Sequence, residues 1–131
     1  MKFIRFKYFK NIFYGLLSKQ KVQVYSDAPW NNGKPLEQFI SIDDVNILSP
    51  CQPGKVIATA INYPGATGLT ERMDEPLVFI KPSSSVIGPN EKIISPFKDT
   101  PVWGEPELAV VIGKRLSKAN TTEAQDAILG Y

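Results

Sequence analysis

The stretch Glu105-Pro106-Glu107-Leu108-Ala109-Val110-Val111-Ile112-Gly113 sets two carboxylates two residues apart at the mouth of an unbroken apolar run. The run Leu108 to Ile112 reads as a strand, and in a strand residues i and i+2 project to the same face. Extended that way, Glu105 and Glu107 stand side by side. Two carboxylates so close repel unless a cation, a shared proton or bulk water intervenes. A hard divalent ion such as Mg²⁺, Mn²⁺ or Ca²⁺ prefers oxygen ligands and satisfies both groups. The competing reading is a solvated pair at a strand edge, and spacing alone does not choose between them.

Upstream of this stretch the chain reads as a succession of short strands and punctuated loops. Lys55 to Ile61 is apolar on both faces, which suits a buried strand. Asn62-Tyr63-Pro64-Gly65 ends it and opens a polar loop that runs to about Glu75. Pro76 to Ile80 is a further strand, closed by Lys81-Pro82, and Val86 to Gly88 and Lys92 to Ile94 bracket a turn at Pro89-Asn90. Nearer the N-terminus, Lys2, Ile4, Phe6 and Tyr8 alternate with Phe3, Arg5, Lys7 and Phe9. With Ile12 to Leu17 and Val22 to Tyr25 they predict two or three antiparallel strands joined by tight turns. Pro29 to Pro35 reads as a loop, and Asp43-Asp44 caps or decorates a turn within Phe39 to Leu48. Ser49 to Gly54 marks a boundary, dividing a small β-rich unit (1–50) from the unit that follows (54–131). Downstream, Thr121/Thr122 with Glu123 starts a capped helix running to Leu129, with acids in its first turn.

Composition narrows the chemistry. The chain has 131 residues, 43% hydrophobic and 21% charged, which is ordinary for a globular protein with a real core. A net charge of +2 does not demand a polyanionic partner. Six cations (Lys2, Arg5, Lys7, Lys10, Lys19 and Lys21) precede the first acid, Asp27, and a solvated strand face accounts for them without nucleic acid. Cys51 is the single cysteine, so no intramolecular disulfide forms and a reducing, cytoplasmic setting is expected. Histidine is absent, which removes Ser-His-Asp and Cys-His nucleophilic catalysis and His-bearing zinc sites from these residues. Ile12 to Leu17 is short and broken by Gly15, unlike a leader. Nothing approaches the roughly 20 apolar residues of a membrane span, and no membrane partner is expected.

Four segments in order then resemble the fumarylacetoacetate hydrolase family. Ile61-Asn62-Tyr63 is similar to its Leu-Asn-Tyr loop, and Glu75-Pro76-Leu77-Val78-Phe79-Ile80-Lys81-Pro82 to its EP-hydrophobic-F-hydrophobic-KP segment. Ser84-Ser85-Val86-Ile87-Gly88-Pro89 resembles the turn that follows, and Trp103 to Lys114 resembles its E-x-E-L-A-V-V-I-G strand. The resemblance implies an α+β, mainly β fold: a β-roll, here incomplete, preceded by a small N-terminal β-hairpin unit. It implies a Mg²⁺-, Mn²⁺- or Ca²⁺-dependent site that holds small 2-keto or enol acids. The family cleaves acylpyruvate-type C–C bonds, or isomerises or decarboxylates related acids, and its full-length members suggest a homodimer. Glu105 and Glu107 match the two metal-ligating glutamates. Asn62 and Tyr63 match a substrate-binding loop. Lys81 is a candidate to face the substrate carboxylate, with a lysine at a sheet edge as the alternative.

Two departures qualify the match. The family's third metal ligand is an aspartate soon after a Gly-Tyr pair, whereas this sequence reaches Gly130-Tyr131 and stops, so a chain cut ahead of that ligand is expected. Hydrolytic members often carry N-Y-x-x-H with a nearby glutamate, a pair that activates water. Ala66 stands at the histidine position, leaving Glu71 as the candidate glutamate without its partner. The sequence therefore predicts part of a metal-dependent enzyme, with a non-catalytic, truncated family member as the alternative.

Overall fold

The computed structural model describes residues 1–63, 74–102 and 104–131. Its best-packed part is an antiparallel sheet of five strands. These are β1 (Lys2–Tyr8), β2 (Asn11–Ser18), β3 (Lys21–Tyr25), β4 (Pro35–Ser41) and β5 (Asn46–Leu48), in the order β4-β3-β2-β1-β5. The alternation read from the sequence sets the faces. Ile4 pairs with Gly15 and Gly15 with Val24, while Phe6 pairs with Phe13. Leu17 pairs with Val22 and Val22 with Ile40. Ile4, Phe6, Val22, Val24 and Ile40 form the buried core, and Phe6, Val22 and Val24 have 0% exposure. The opposite face carries Phe3, Arg5, Tyr14, Leu16 and Tyr25, with the rings of Phe3 and Tyr25 edge-on at 5.3 Å.

Among the described residues the core cluster is drawn from this sheet and its connections, because the sheet curls. Strands β4 and β5 are its two edges, about 19 Å apart if five strands lay flat at roughly 4.8 Å spacing. Yet Ser41 and Asn46 are joined by Ile42 to Val45 alone, and Ile42–Asp44 is a tight 3-10 turn. Five fully extended steps reach about 17 Å at most, and a helical turn much less, so the edges must approach each other. The backbone N–H of Ile42 donates to the Gln20 carbonyl at 3.0 Å, holding this connection over the end of the β2–β3 hairpin. Ile42, Val45 and Ile47 pack against the core from there. The cap is Ser41, which accepts from the Asp43 N–H, so Asp43 and Asp44 decorate the first turn of that 3-10 segment and do not cap it.

Beyond residue 54 the elements are smaller. Strand β6 (Lys55–Ala60) pairs with β7 (Leu77–Pro82) as an isolated antiparallel ribbon, and β8 (Val111–Ile112) pairs with β9 (Ile128–Gly130). Three expectations are corrected here. The segment 55–61 is not a buried strand: Ala58 is buried, but Ile57 is 64% exposed, because among the described residues β6 pairs with β7 alone. The strand expected over Leu108 to Ile112 is limited to Val111–Ile112, since only those residues find a ladder partner. The helix is α1 (Thr121–Asp126), ending well before Leu129. Its cap is Asn120, whose side chain accepts from the Glu123 N–H at 3.0 Å while Glu123 accepts from the Asn120 N–H at 2.9 Å. This capping box closes the N-terminus. Ile128 to Gly130 leaves the helix because it pairs with β8, and the Gly113 N–H donates to the Ala127 carbonyl at 2.8 Å.

The predicted turn at Pro89-Asn90 is present, though its flanks are irregular rather than strands. Asn90 takes φ 64°, the Glu91 N–H donates to the Gly88 carbonyl, and the Gly88 N–H donates to the Glu91 carboxylate at 2.9 Å. Gly88 lies against the backbone of Leu48 and Ser49, where a Cβ would come within 3.2 to 3.4 Å.

Candidate metal and substrate site

The residues singled out in the sequence fall on three segments. Asn62 and Tyr63 follow β6 directly, after a reversal at Ile61, whose φ of 53° is left-handed. Tyr63 is exposed. Lys81 sits near the end of β7, exposed, with its Nζ 5.6 Å from the centre of the Phe79 ring. That contact follows from strand geometry, because residues two apart share a face. Glu105 and Glu107 lie in the irregular stretch ahead of β8, both exposed.

The β6–β7 register decides which of these groups meet. Ala60 pairs with Leu77 at one end of the ribbon, and Val56 pairs with Lys81 at the other. Four residues along a strand amount to roughly 13 Å. The Asn62-Tyr63 loop and Lys81 are thus at opposite ends of the hairpin and are not brought together by it. Glu71 lies outside the described residues. Glu105 and Glu107 are not on a strand face, since the ladder starts at Val111.

The donor chemistry suits a hard cation as far as it goes. Two carboxylates two residues apart and open to solvent supply oxygen ligands of the type Mg²⁺ or Mn²⁺ takes, but only a minority of an octahedral shell. Among the described residues no three His, Cys, Asp or Glu side chains are grouped so as to hold a metal ion. The pair therefore fits as one part of a site. One feature was missed in the sequence: a shallow concavity beside α1, lined by Lys114, Arg115, Ser117, Glu123 and Asp126. Its cations follow Gly113 directly in the chain, but its mixed charges and openness select no ligand class.

Comparison with known proteins supplies the family. The profile described as fumarylacetoacetate (FAA) hydrolase C-terminal matches residues 55–131, and the one described as Rv2993c-like, N-terminal, matches residues 1–50. A Dictyostelium discoideum protein named fumarylacetoacetate hydrolase domain-containing protein 2 homolog is 35% identical over 94 residues, covering 70% of this chain and 31% of the relative. The Xenopus laevis protein named oxaloacetate tautomerase fahd2, mitochondrial, is 32% identical over 99 residues, covering 72% of this chain and 31% of the relative. Among solved structures, the 5-carboxymethyl-2-hydroxymuconate delta-isomerase of Mycobacterium smegmatis superposes with a TM-score of 0.86 at 28% identity. That match covers 100% of this chain and 52% of the isomerase, so the chain spans about half of that relative's length. No helix among the described residues is long and apolar enough to cross a membrane. With the FAA hydrolase C-terminal profile spanning residues 55–131 and the whole chain superposing on the isomerase, the chain belongs to the fumarylacetoacetate hydrolase family.

Proposed function

We propose that the chain contributes to a divalent-metal site for small 2-keto or enol acids, and that the reaction served is a proton shift, isomerisation or tautomerisation, rather than C–C hydrolysis. One observation carries the choice of reaction: these 131 residues contain no histidine to pair with Glu71 in activating water, and two of the relatives bear the names of a tautomerase and an isomerase. A proton shift between carbon and oxygen consumes no water and needs no such dyad. Glu105 and Glu107 would hold Mg²⁺ or Mn²⁺, with further ligands from outside this pair. When bound, the ion supplies Lewis acidity that favours the enolate form of a chelating keto acid. Asn62 and Tyr63 would orient the acid. Lys81, set against Phe79, is assigned the sheet-edge role, because the ribbon holds it far from that loop. The division into units 1–50 and 54–131, a cytoplasmic location and a homodimer of the full-length protein belong to the same reading.

The test is isothermal titration of Mn²⁺ and Mg²⁺ into the chain and its Glu105→Gln/Glu107→Gln variant. The expected result is dissociation in the millimolar range, because two carboxylates leave most of the shell to water, and loss of that binding in the variant. Equal affinity in both proteins overturns the ligand assignment. Oxaloacetate ketonisation and acylpyruvate cleavage, followed side by side in the full-length protein, separate the reactions, and cleavage as the faster process refutes the proton-shift reading. A non-catalytic role gains support if neither proceeds above the uncatalysed rate while metal binding persists.

A further inference from the structure

Asn32 is the one asparagine in the chain followed by glycine. Such a bond carries its own chemistry, because the glycine nitrogen can attack the side-chain amide carbon with no β-carbon in the way. Local structure decides whether it does. Residues 26–34 connect β3 to β4, and Asn32 and Gly33 close that loop. Pro29–Asn31 is a 3-10 turn, which Asn32 ends in the left-handed region at φ 61° and ψ 22°. Asparagine tolerates that conformation better than most side chains. Gly33 follows because a Cβ there would overlap the Asp27 carbonyl. Ala28, 1% exposed, anchors the loop, and its carbonyl accepts from the Asn31 and Gly33 N–H groups at 2.9 and 3.0 Å. The Ser26 hydroxyl accepts from the Lys34 N–H at 3.0 Å, while the Ser26 N–H donates to the Lys34 carbonyl at 2.9 Å. Trp30 stands edge-on to Tyr14 at 5.3 Å.

Asn32 is exposed, so water reaches it, but two features of the closed loop block the attack. At ψ 22° the Gly33 nitrogen nearly eclipses the backbone nitrogen of Asn32, which turns it away from Cβ and the side-chain amide beyond. The Gly33 N–H is also committed to the Ala28 carbonyl, whereas attack requires that proton to leave. We propose that Asn32–Gly33 is a deamidation site gated by this loop, silent while the Gly33 N–H is held and reactive when residues 26–34 open. In the open loop the Gly33 nitrogen loses its proton and bonds to Asn32 Cγ. The Cγ–Nδ2 bond breaks as the amide nitrogen takes up a proton and leaves as ammonia, giving a cyclic imide. Water then opens the ring at either carbonyl, to aspartate or isoaspartate, with no oxidation or reduction. Isoaspartate lengthens the backbone by one carbon where Gly33 already lies against the Asp27 backbone. The modified loop therefore cannot reclose as before, and the Tyr25–Pro35 pairing beside it weakens. Neither the glutamate pair nor the Asn62-Tyr63 loop takes part, so the gate stands or falls apart from the metal reading.

The test incubates the folded 131-residue chain, the same chain unfolded in urea, and the folded Ser26→Ala variant. Mass spectrometry follows the peptide bearing Asn32, and exchange of the Gly33 amide proton is measured alongside. Conversion is expected at Asn32 ahead of every other asparagine, and at least about tenfold slower in the folded chain than in urea. Both processes need the Gly33 N–H free, so the folded-state suppression should match the protection factor of that amide within about threefold. Ser26→Ala removes the hydroxyl that holds the Lys34 N–H. It should accelerate conversion and Gly33 exchange together, by about threefold or more, with protection at Phe6 and Val22 unchanged. Equal conversion rates in the folded and unfolded chain overturn the gate. So does slow conversion while Gly33 exchanges freely, or a variant in which Gly33 exchange rises and conversion does not. Conversion in urea at another asparagine first overturns the choice of site. Should Ser26→Ala unfold the sheet, the folded chain compared with urea and with its own Gly33 exchange decides alone.

Discussion

At the scale of single residues, Gly15 is the most constrained position in the sheet. A Cβ there would sit 2.5 Å from a Val22 methyl, 2.6 Å from the Gln23 carbonyl oxygen and 3.1 Å from the Phe6 ring. The carbonyl belongs to the neighbouring strand and cannot turn aside as a side chain can. Gly15→Ala is therefore expected to destabilise the sheet by about 2–3 kcal/mol, in the range of overpacked cores, seen as a lower urea midpoint at unchanged slope. Lys19 presents the opposite case. It opens the two-residue β2–β3 turn with φ 54°, as Phe9 opens the β1–β2 turn with φ 51°. The left-handed region costs a non-glycine residue about 1–2 kcal/mol, of which glycine's extra chain entropy returns part. Lys19→Gly should stabilise by about 0.5–1 kcal/mol, read from the same urea titration. Burial of Ile4 and Phe6 was legible in the alternation of the first strand. The left-handed turns were foreseen as tight connections, but no Gly or Asn marks the strained positions, so their geometry was not.

At the scale of elements, local signals and long-range pairing separate cleanly. The α1 start was readable because Glu123 lies in the first turn of a polar run, although the cap proved to be Asn120, one residue ahead of the threonines. Asn120→Ala removes one half of the capping box and should cost about 1 kcal/mol, visible as faster amide exchange at Glu123 and Ala124 while β1–β3 is unaffected. The run Leu108 to Ile112 was equally plain as an apolar segment. Its ladder, however, depends on which strand lies alongside, and apolarity does not encode that. The same limit explains Glu105 and Glu107: their spacing is visible in the sequence, but a shared strand face requires a ladder that begins only at Val111. For the Asn62-Tyr63 loop and Lys81, the sequence supplied each motif, whereas the antiparallel register put them at opposite ends of one ribbon.

At the scale of the whole molecule, stability is unevenly distributed. The large, fully buried side chains all belong to the five-stranded sheet. Hydrogen exchange on the isolated chain should find the slowest amides in β1, β2 and β3 and much faster exchange in β6 and β7, because local opening follows the density of buried contacts. Uniform protection across residues 2–82 would refute that ranking.

The order of the five-stranded sheet also carries a consequence for biosynthesis. Strands β1, β2, β3 and β4 are neighbours both in the chain and in the sheet, and the first two connections are two residues long. Such contacts close short loops, which lowers the entropic barrier to forming them. The first 48 residues can therefore acquire their native ladder on the emerging nascent chain, before Leu77–Pro82 has been synthesised. The β6–β7 ribbon then appears on an already folded platform, with Gly88 later seating against Leu48 and Ser49. Gly15→Ala, by weakening the β1–β2–β3 meander, would leave that platform less stable as the ribbon emerges on the ribosome-bound chain.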